Sequence, residues 1–284
     1  MKIPPRLLPL LEDGLITGVV RQLMSGKEAM VFVVRCGEDE PACCAKIYKE
    51  ANKRAFRQAV DYTENRKTKN SRQARAIAKG TNYGRKSQEA AWQSAEVDAL
   101  YRLAAAGVRV PKPLNFHEGV LLMELVTDAE GNAAPRLNDV EFEPALAVDY
   151  HSRLILEVVR MLIAGIIHGD LSEFNILVDA DGPVIIDLPQ AVDAAGNNHA
   201  ENMLLRDVGN LRNYFGRFAS ELLKTNYGDE IWSHYSAGTL SVDTALSGHF
   251  TPSQKQIDME DILREIEDVR LEEAARKMRM ADLE

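Results

Sequence analysis

The sequence predicts an α+β protein of two lobes, β-rich on the N-terminal side and mainly helical on the C-terminal side, flanking a cleft. Two patterns predict this. Up to about residue 126 the apolar residues fall in runs of strand length bounded by Gly, Pro, Asn and Ser, whereas from about 148 they recur every three to four positions. The change of pattern near 124–128 suits a hinge. The expected division is 1–126 for the first lobe, 127–252 for the second and 253–284 for a helical extension.

In chain order, LITGVVRQLMSGKEAMVFVVR (15–35) reads as strand, tight turn, strand: Val19, Val20 and Leu23 precede the turn at Ser25-Gly26-Lys27, and Met30 to Val34 follow it. ACCAKIYK (42–49) is a third strand with Lys46 set among small and apolar neighbours. From about Arg57 to Lys86 the chain is polar and poor in large aliphatic residues, which predicts a mobile or partly helical excursion. Trp92, Ala95, Ala99, Leu100 and Leu103 place a helix over 89–106, with Gly107 where a C-cap belongs. VRVPKPLNF and GVLLMELV supply two more strands, the second apolar throughout and therefore central. TDAEGNAAPRLNDVEFEP is an acidic loop. Tyr150, Leu154, Val158 and Leu162, with Ile155, Val159 and Ile163 beside them, predict a helix over 148–166. NILV and VIID pair across the turn Asp179-Ala180-Asp181-Gly182, and helices over 201–224 and 257–280 complete the chain.

Composition narrows the class. With 45% hydrophobic residues in 284, the chain has ample material for a core. No stretch approaches the roughly 18 uncharged apolar residues that span a bilayer, and MKIPPRLLPLLEDG lacks the apolar core and cleavage site of a signal peptide. Cys36, Cys43 and Cys44 form neither a disulfide framework nor a metal-ligand spacing, as expected for free thiols in a reducing cytoplasm. Charge is polarised: residues 46–86 hold 13 Lys/Arg against three acidic residues, a local net of +10 in a chain whose total is −9. That contrast is a hint of an anionic partner, RNA phosphates or an acidic protein, beside the plain reading of a solvated loop whose charge balances the acidic remainder.

The chemistry is concentrated in HGDLSEFNILVD (168–179). An interior turn with a His, an Asp and an Asn needs partners for them or a ligand. Asp170 and Asn175 stand five apart, the spacing of a catalytic loop in which a carboxylate faces an acceptor hydroxyl and an amide oxygen reaches a metal. Twelve residues on, VIID ends an apolar strand on Asp187, a second oxygen ligand for the same Mg²⁺. Singly, a turn-capping Asp170, an Asx-turn at Asn175 and a strand-ending Asp187 are commonplace; all three in register are not. Lys46 inside a strand needs an anion if it is buried. Nucleotide phosphates would serve, as would a carboxylate on the next helix, Glu96 first and Glu89 second. Ser25-Gly26-Lys27 carries one glycine, too few for a Walker A or G-x-G-x-x-G loop, yet its hydroxyl and N–H groups could line phosphates.

Together, SGKEAMVF, AKIYK, WQSAEVDALYRLAAAGVRVPKPL, LLMELV, HGDLSEFNILV, IIDLPQAV and LLRDVGNL resemble the RIO-type atypical serine/threonine protein kinases over about residues 15–225. The resemblance implies a protein-kinase-like fold using ATP and Mg²⁺, with Mn²⁺ as an alternative. It implies Asp170 as catalytic base, Asn175 and Asp187 as metal ligands, and Lys46 on the α/β-phosphates and paired with Glu96. Ser25, Gly26 and Lys27 would form the phosphate loop, and backbone groups of Glu124 and Val126 would meet adenine. In some members the aspartate at the position of Asp187 is itself phosphorylated. His168 would pack and orient, and Asp207 of RDVGN would accept N–H bonds from the catalytic loop or lie on the surface. The short chain ahead of SGKEA favours the branch without a winged helix, while NNHAENM departs from the family's usual His-Pro form. Only 13 residues separate Asp187 from the helix near Glu201, too few for a full activation segment. The protein substrate is therefore left open, and two alternatives stand beside the kinase: an ATP-gated ribosome-binding ATPase, and a small-molecule phosphotransferase of the aminoglycoside or choline kinase type.

Overall fold

The computed structural model describes residues 3–26, 29–37, 41–49 and 95–251. Lys27, Glu89, the basic stretch from 50 to 86 and the expected helix at 257–280 lie outside them. The chain forms one compact unit through His249 and a second from Phe250 to Glu284; the sheet, the helices and the cleft residues all belong to the first.

Five strands build an antiparallel sheet in the order β1-β2-β3-β5-β4: β1 (Gly18–Ser25), β2 (Ala29–Arg35), β3 (Ala42–Tyr48), β4 (Pro113–His117) and β5 (Val120–Glu124). β5 lies between β3 and β4, the interior place its apolar run predicts. The β4–β5 turn uses Glu118 and Gly119, both at positive φ (47° and 77°), the backbone that a tight two-residue hairpin turn requires. Alternation then sorts the sheet's faces. Phe32, Val34, Cys43, Ala45, Ile47, Val120 and Leu122 form a core with Leu7, Leu10 and Ile16. Those three belong to a short N-terminal segment containing α1 (Leu8–Glu12), which the proline-broken sequence disguises. Lys46 and Tyr48 therefore project from the opposite face.

Helix α2 (residues 95–105) sends Val97, Leu100 and Leu103 into a larger core shared with Tyr48, Leu121 and the second lobe. There α3 (Pro144–Ile163) and α4 (Ala200–Phe215) pack together, flanked by the hairpin β7 (Ile176–Asp179)–β8 (Gly182–Ile185) and the two-residue pair β6 (Ile166–Ile167) and β9 (Val192–Asp193). The expected acidic loop carries a bridge between Thr127 and Ala133 and a 3-10 turn at Leu137–Asp139.

The helix expected over 201–224 is corrected. It stops at Phe215, and Ser220–Lys224 forms a separate 3-10 turn. Leu223 folds back onto Gly216 so closely that a Cβ there would lie 2.3 Å from the Leu223 side chain. A further helix, α5 (Tyr227–Ser236), comes next; its Tyr227, Ile231, Trp232 and Tyr235 have helical spacing, but over one short polar stretch. Among the described residues no helix is long and apolar enough to cross a membrane.

Candidate active site

Lys46 stands opposite Val31 on β2 and Leu121 on β5, so its side chain leaves the sheet through apolar neighbours. Its ammonium then meets two carboxylates. Nζ donates to Glu96 Oε1 at 2.6 Å and to Asp187 Oδ1 at 2.7 Å, with the lysine side chain 11% exposed, Glu96 7% and Asp187 45%. The Tyr48 ring lies 5.5 Å from the same ammonium. Burial alone would pull the lysine pKa down, but Glu96 and Asp187 outweigh it and raise it well above its ordinary value. Burial likewise pushes Asp187 up, while Lys46, with help from His168 and Arg136, pulls it down by more, so Asp187 is held ionised. Helix α2 and the two lobes thus converge on one cation.

Asp187 has φ 66°, left-handed backbone that a non-glycine residue rarely adopts. Its neighbour Ile186 fixes it there from both ends. The Ile186 N–H donates to Asn175 O (2.9 Å), and the Ile186 carbonyl lies 3.1 Å from His168 Nε2. Because Nε2 meets a carbonyl it carries the proton, which leaves Nδ1 to accept the Asp170 N–H at 3.3 Å. His168, 2% exposed, is therefore an orienting group with both nitrogens engaged.

Helix α4 grips the catalytic loop at four backbone groups. Asp207, 1% exposed, accepts the N–H groups of Gly169 (2.8 Å) and Leu171 (3.0 Å). Arg206 donates to the Gly169 carbonyl and Asn210 to the Leu171 carbonyl at 2.9 Å. Every polar side chain of RDVGN is consumed in this way; Asp207 is a buried acceptor and not a surface group. Burial pushes its pKa up to about 6 against the pull of His168 and its two N–H donors. Gly169 sits at φ 81°, where a side chain would be strained. The loop so held presents Asp170, whose pKa burial raises above the usual carboxylate range despite His168 and Arg206. Gln190 Nε2 approaches its Oδ2 at 3.4 Å.

A magnesium ion needs hard oxygen donors. Asn175 Nδ2 donates to the Asp170 carbonyl at 2.8 Å, so the amide is oriented with Oδ1 as its remaining group, and Asp187 supplies a carboxylate. Among the described residues no cluster of three or more His, Cys, Asp or Glu builds a closed metal cage. Two protein oxygens completed by phosphate and water are what Mg²⁺ accepts, and the donor set fits it. At the cleft's upper rim Ser25 ends β1 and Gly26 closes the turn by donating to Ala29 O at 2.9 Å. Lys49 Nζ pins that turn, donating to Gly26 O (2.6 Å) and Ser25 Oγ (3.1 Å). At the hinge, Glu124 N–H donates to Lys112 O, and the Val126 carbonyl accepts from Ala134 N–H.

Sequence reasoning named Lys46, Glu96, Asp170, Asn175 and Asp187, and the structure brings these five together, with Ser25 and Gly26 at the rim. It missed Arg206, Asn210, Lys49, Gln190 and Arg136. The 206/210 pair was open to detection, because residues four apart share a helix face.

A family model described as the RIO domain matches residues 30–227. The chain is 38% identical over 212 residues to the RIO-type serine/threonine-protein kinase Rio1 of Haloferax volcanii, covering 73% of this chain and 67% of that one. It is 29% identical over 219 residues to serine/threonine-protein kinase rio1 of Schizosaccharomyces pombe, covering 74% and 41% respectively. It thus spans two thirds of the first relative and less than half of the second. Among solved structures, a Rio2 kinase–ADP/Mg²⁺–phosphoaspartate complex from Chaetomium thermophilum superposes with TM-score 0.54 at 25% identity, covering 93% of this chain and 75% of that one.

Proposed function

The chain belongs to the RIO domain family, and from that premise we propose that it is an ATP- and Mg²⁺-dependent phosphotransferase acting on serine or threonine of a protein. The observation that carries the reading is the single ammonium of Lys46 held by Glu96 at 2.6 Å and Asp187 at 2.7 Å. That contact assembles strand lysine, helix glutamate and metal-loop aspartate in one place. In this reading Lys46 holds the α/β-phosphates and Glu96 keeps it aimed. Asn175 and Asp187 would hold Mg²⁺, which would supply positive charge beside the phosphates to offset charge on the leaving group. Asp170, its pKa raised by burial, takes the proton of the acceptor hydroxyl. Ser25 and Gly26, with Lys27, line the phosphates. With its carbonyl already engaged by Ala134, Val126 offers adenine its N–H, and Glu124 offers its carbonyl. Free thiols at Cys36, Cys43 and Cys44 favour the cytoplasm.

A second reading has a specific support. After Asp187 the chain is pinned at once: Leu188 is buried, Ala191 N–H donates to Leu188 O, Val192 pairs with Ile167, and Ala194 N–H donates to Gly165 O. Little chain is left as a peptide-docking shelf before α4. That favours turnover in which Asp187 itself receives the phosphoryl group, in keeping with the phosphoaspartate of the Chaetomium Rio2 complex, with ATP hydrolysis gating docking on a ribosomal particle.

Incubation with γ-labelled ATP and Mg²⁺ tests both. Hydroxylamine-resistant label on protein serine or threonine supports the kinase; hydroxylamine-labile label lost in Asp187→Asn, together with released phosphate, supports the second reading. Asp170→Asn should keep nucleotide affinity and slow transfer by roughly 10²- to 10⁴-fold. A protein that neither binds nucleotide in an Mg²⁺-dependent way nor turns it over refutes both.

A further inference from the structure

Arg136 lies outside every motif described above, yet it crosses the cleft. Its backbone belongs to the second lobe. It bridges to Leu177 on β7, its carbonyl accepts Asp139 N–H at 2.9 Å, and the carbonyl of Pro135 beside it accepts Val178 N–H at 2.9 Å. Its side chain, in contrast, reaches the first lobe, where Nη2 stands 3.1 Å from the Met24 sulfur, one residue before Ser25 and two before Gly26.

A thioether is a poor destination for a guanidinium. Arginine carries five N–H donors in a planar fork suited to two oxygens, whereas a methionine sulfur is a weak, neutral, single acceptor. Among the described residues this is the one hydrogen bond the Arg136 side chain makes. Lys49 holds the same turn from the first-lobe side with two oxygen acceptors, so the turn does not depend on Arg136 for its shape. The guanidinium is a cation fixed at its base, within electrostatic reach of Asp187, and spending its charge on sulfur.

On the reading of the cleft as a nucleotide site, we infer that Arg136 is a phosphate ligand of the bound nucleotide, exchanging the Met24 thioether for phosphate oxygens and so joining the second lobe to the phosphate loop. Phosphate is what the fork of an arginine recognises best and what the thioether cannot imitate. The exchange changes no covalent bond. It gives the second lobe a nucleotide contact that does not pass through the metal, on the opposite lobe from Lys46.

The test is equilibrium binding of adenosine, Mg²⁺-ADP and Mg²⁺-ATP to the full chain and to Arg136→Ala, Arg136→Gln and Arg136→Lys. The backbone bridge to Leu177 does not involve the side chain, and glutamine keeps most of the stem, so the folded state is preserved. Losing a charge-assisted contact should weaken the phosphorylated ligands by about ten- to a hundred-fold in the alanine and glutamine variants. Adenosine should be unaffected, and lysine, with charge but no fork, should fall between. Equal weakening of adenosine and Mg²⁺-ATP, or no change in either, overturns the inference. If the wild-type chain binds nucleotide through Asp187 but is indifferent to Arg136, this inference alone fails. If the wild-type chain binds no nucleotide, the reading of the cleft fails with it.

Discussion

Among the described residues, Lys46 carries an ammonium that both lobes reach. Set in ACCAKIYK, it demands an anion, and a phosphate or a glutamate would each satisfy it. The fold supplies two carboxylates at once, one of them on the 6% exposed Glu96. Lys46→Met therefore does more than remove a phosphate contact: it strands a buried carboxylate. Breaking a buried pair from one side costs about 3 kcal/mol, so the variant should be less stable than wild type by that amount in urea unfolding. Adding Glu96→Gln should return most of the stability while leaving phosphoryl transfer lost. A Lys46→Met variant as stable as wild type would show that Glu96 has another partner. His151 makes the complementary point about burial without a partner. It is 1% exposed, its Nε2 finds no hydrogen-bond partner among the described residues, and burial pushes its pKa down to about 4 from 6.5. The neutral form is the folded form, and the unfolded chain takes up the extra proton between those values. The His151 contribution to stability should thus be complete above about pH 6.5 and be lost as pH falls toward 4, by about 3 kcal/mol over the interval, against an opposite contribution from Asp207, whose raised pKa favours the folded state as pH falls. In urea unfolding the stability difference between wild type and His151→Phe should therefore change by about this amount between pH 7 and 4.5, and an unchanged difference would remove His151 as the cause.

At the scale of elements, the strands and α3 were legible because their apolar period is unambiguous, and α4's end was not. From 201 to 224 the spacing of Leu204, Val208, Leu211, Phe215, Leu222 and Leu223 stays compatible with one helix. The chain instead turns after Phe215 and brings Leu223 back against Gly216, and no local pattern records that. Gly216→Ala should cost about 1–3 kcal/mol by overpacking, because its Cβ would meet Leu223 at 2.3 Å and Arg212 O at 2.8 Å. Leu223→Ala in the same chain should relieve part of the loss in a thermal melt. The N-terminal α1 was hidden for a different reason. Its buried Leu10 and the buried Leu7 just before it lie on either side of Pro9, and nothing local announces that a sheet face awaits them. The site itself was more legible than its supports. Asp170, Asn175 and Asp187 sit five and twelve residues apart, a spacing the sequence displays directly, whereas Arg206, Asn210 and Lys49 act on backbone groups whose positions only the fold defines.

For the whole molecule, the outstanding property is charge polarity, +10 over residues 46–86 against a net of −9. Lys46 is already committed to two carboxylates, so any surface role falls to the remainder of the segment. If Arg57, Arg66, Lys67, Lys69, Arg72 and Arg75 contact about five phosphates of single-stranded ribosomal RNA, the log–log salt dependence of binding should have a slope near −3.5. Neutralising Arg66, Lys67 and Lys69 together should flatten it by about two units with nucleotide affinity unchanged; a slope indifferent to that change leaves the segment a solvated one. The contact between the lobes has a consequence of another kind. Lys46 and Asp187 are each other's counter-ion at 2.7 Å, and counter-ions are traded, not simply added. With Asp187 as a metal ligand, a divalent cation arriving alone would displace an ammonium that then keeps only Glu96. Arriving with a polyphosphate, it hands that ammonium a new anion in the same event. Metal and nucleotide must accordingly strengthen one another's binding by the same factor, and the partner that each releases is the one the other has come to replace.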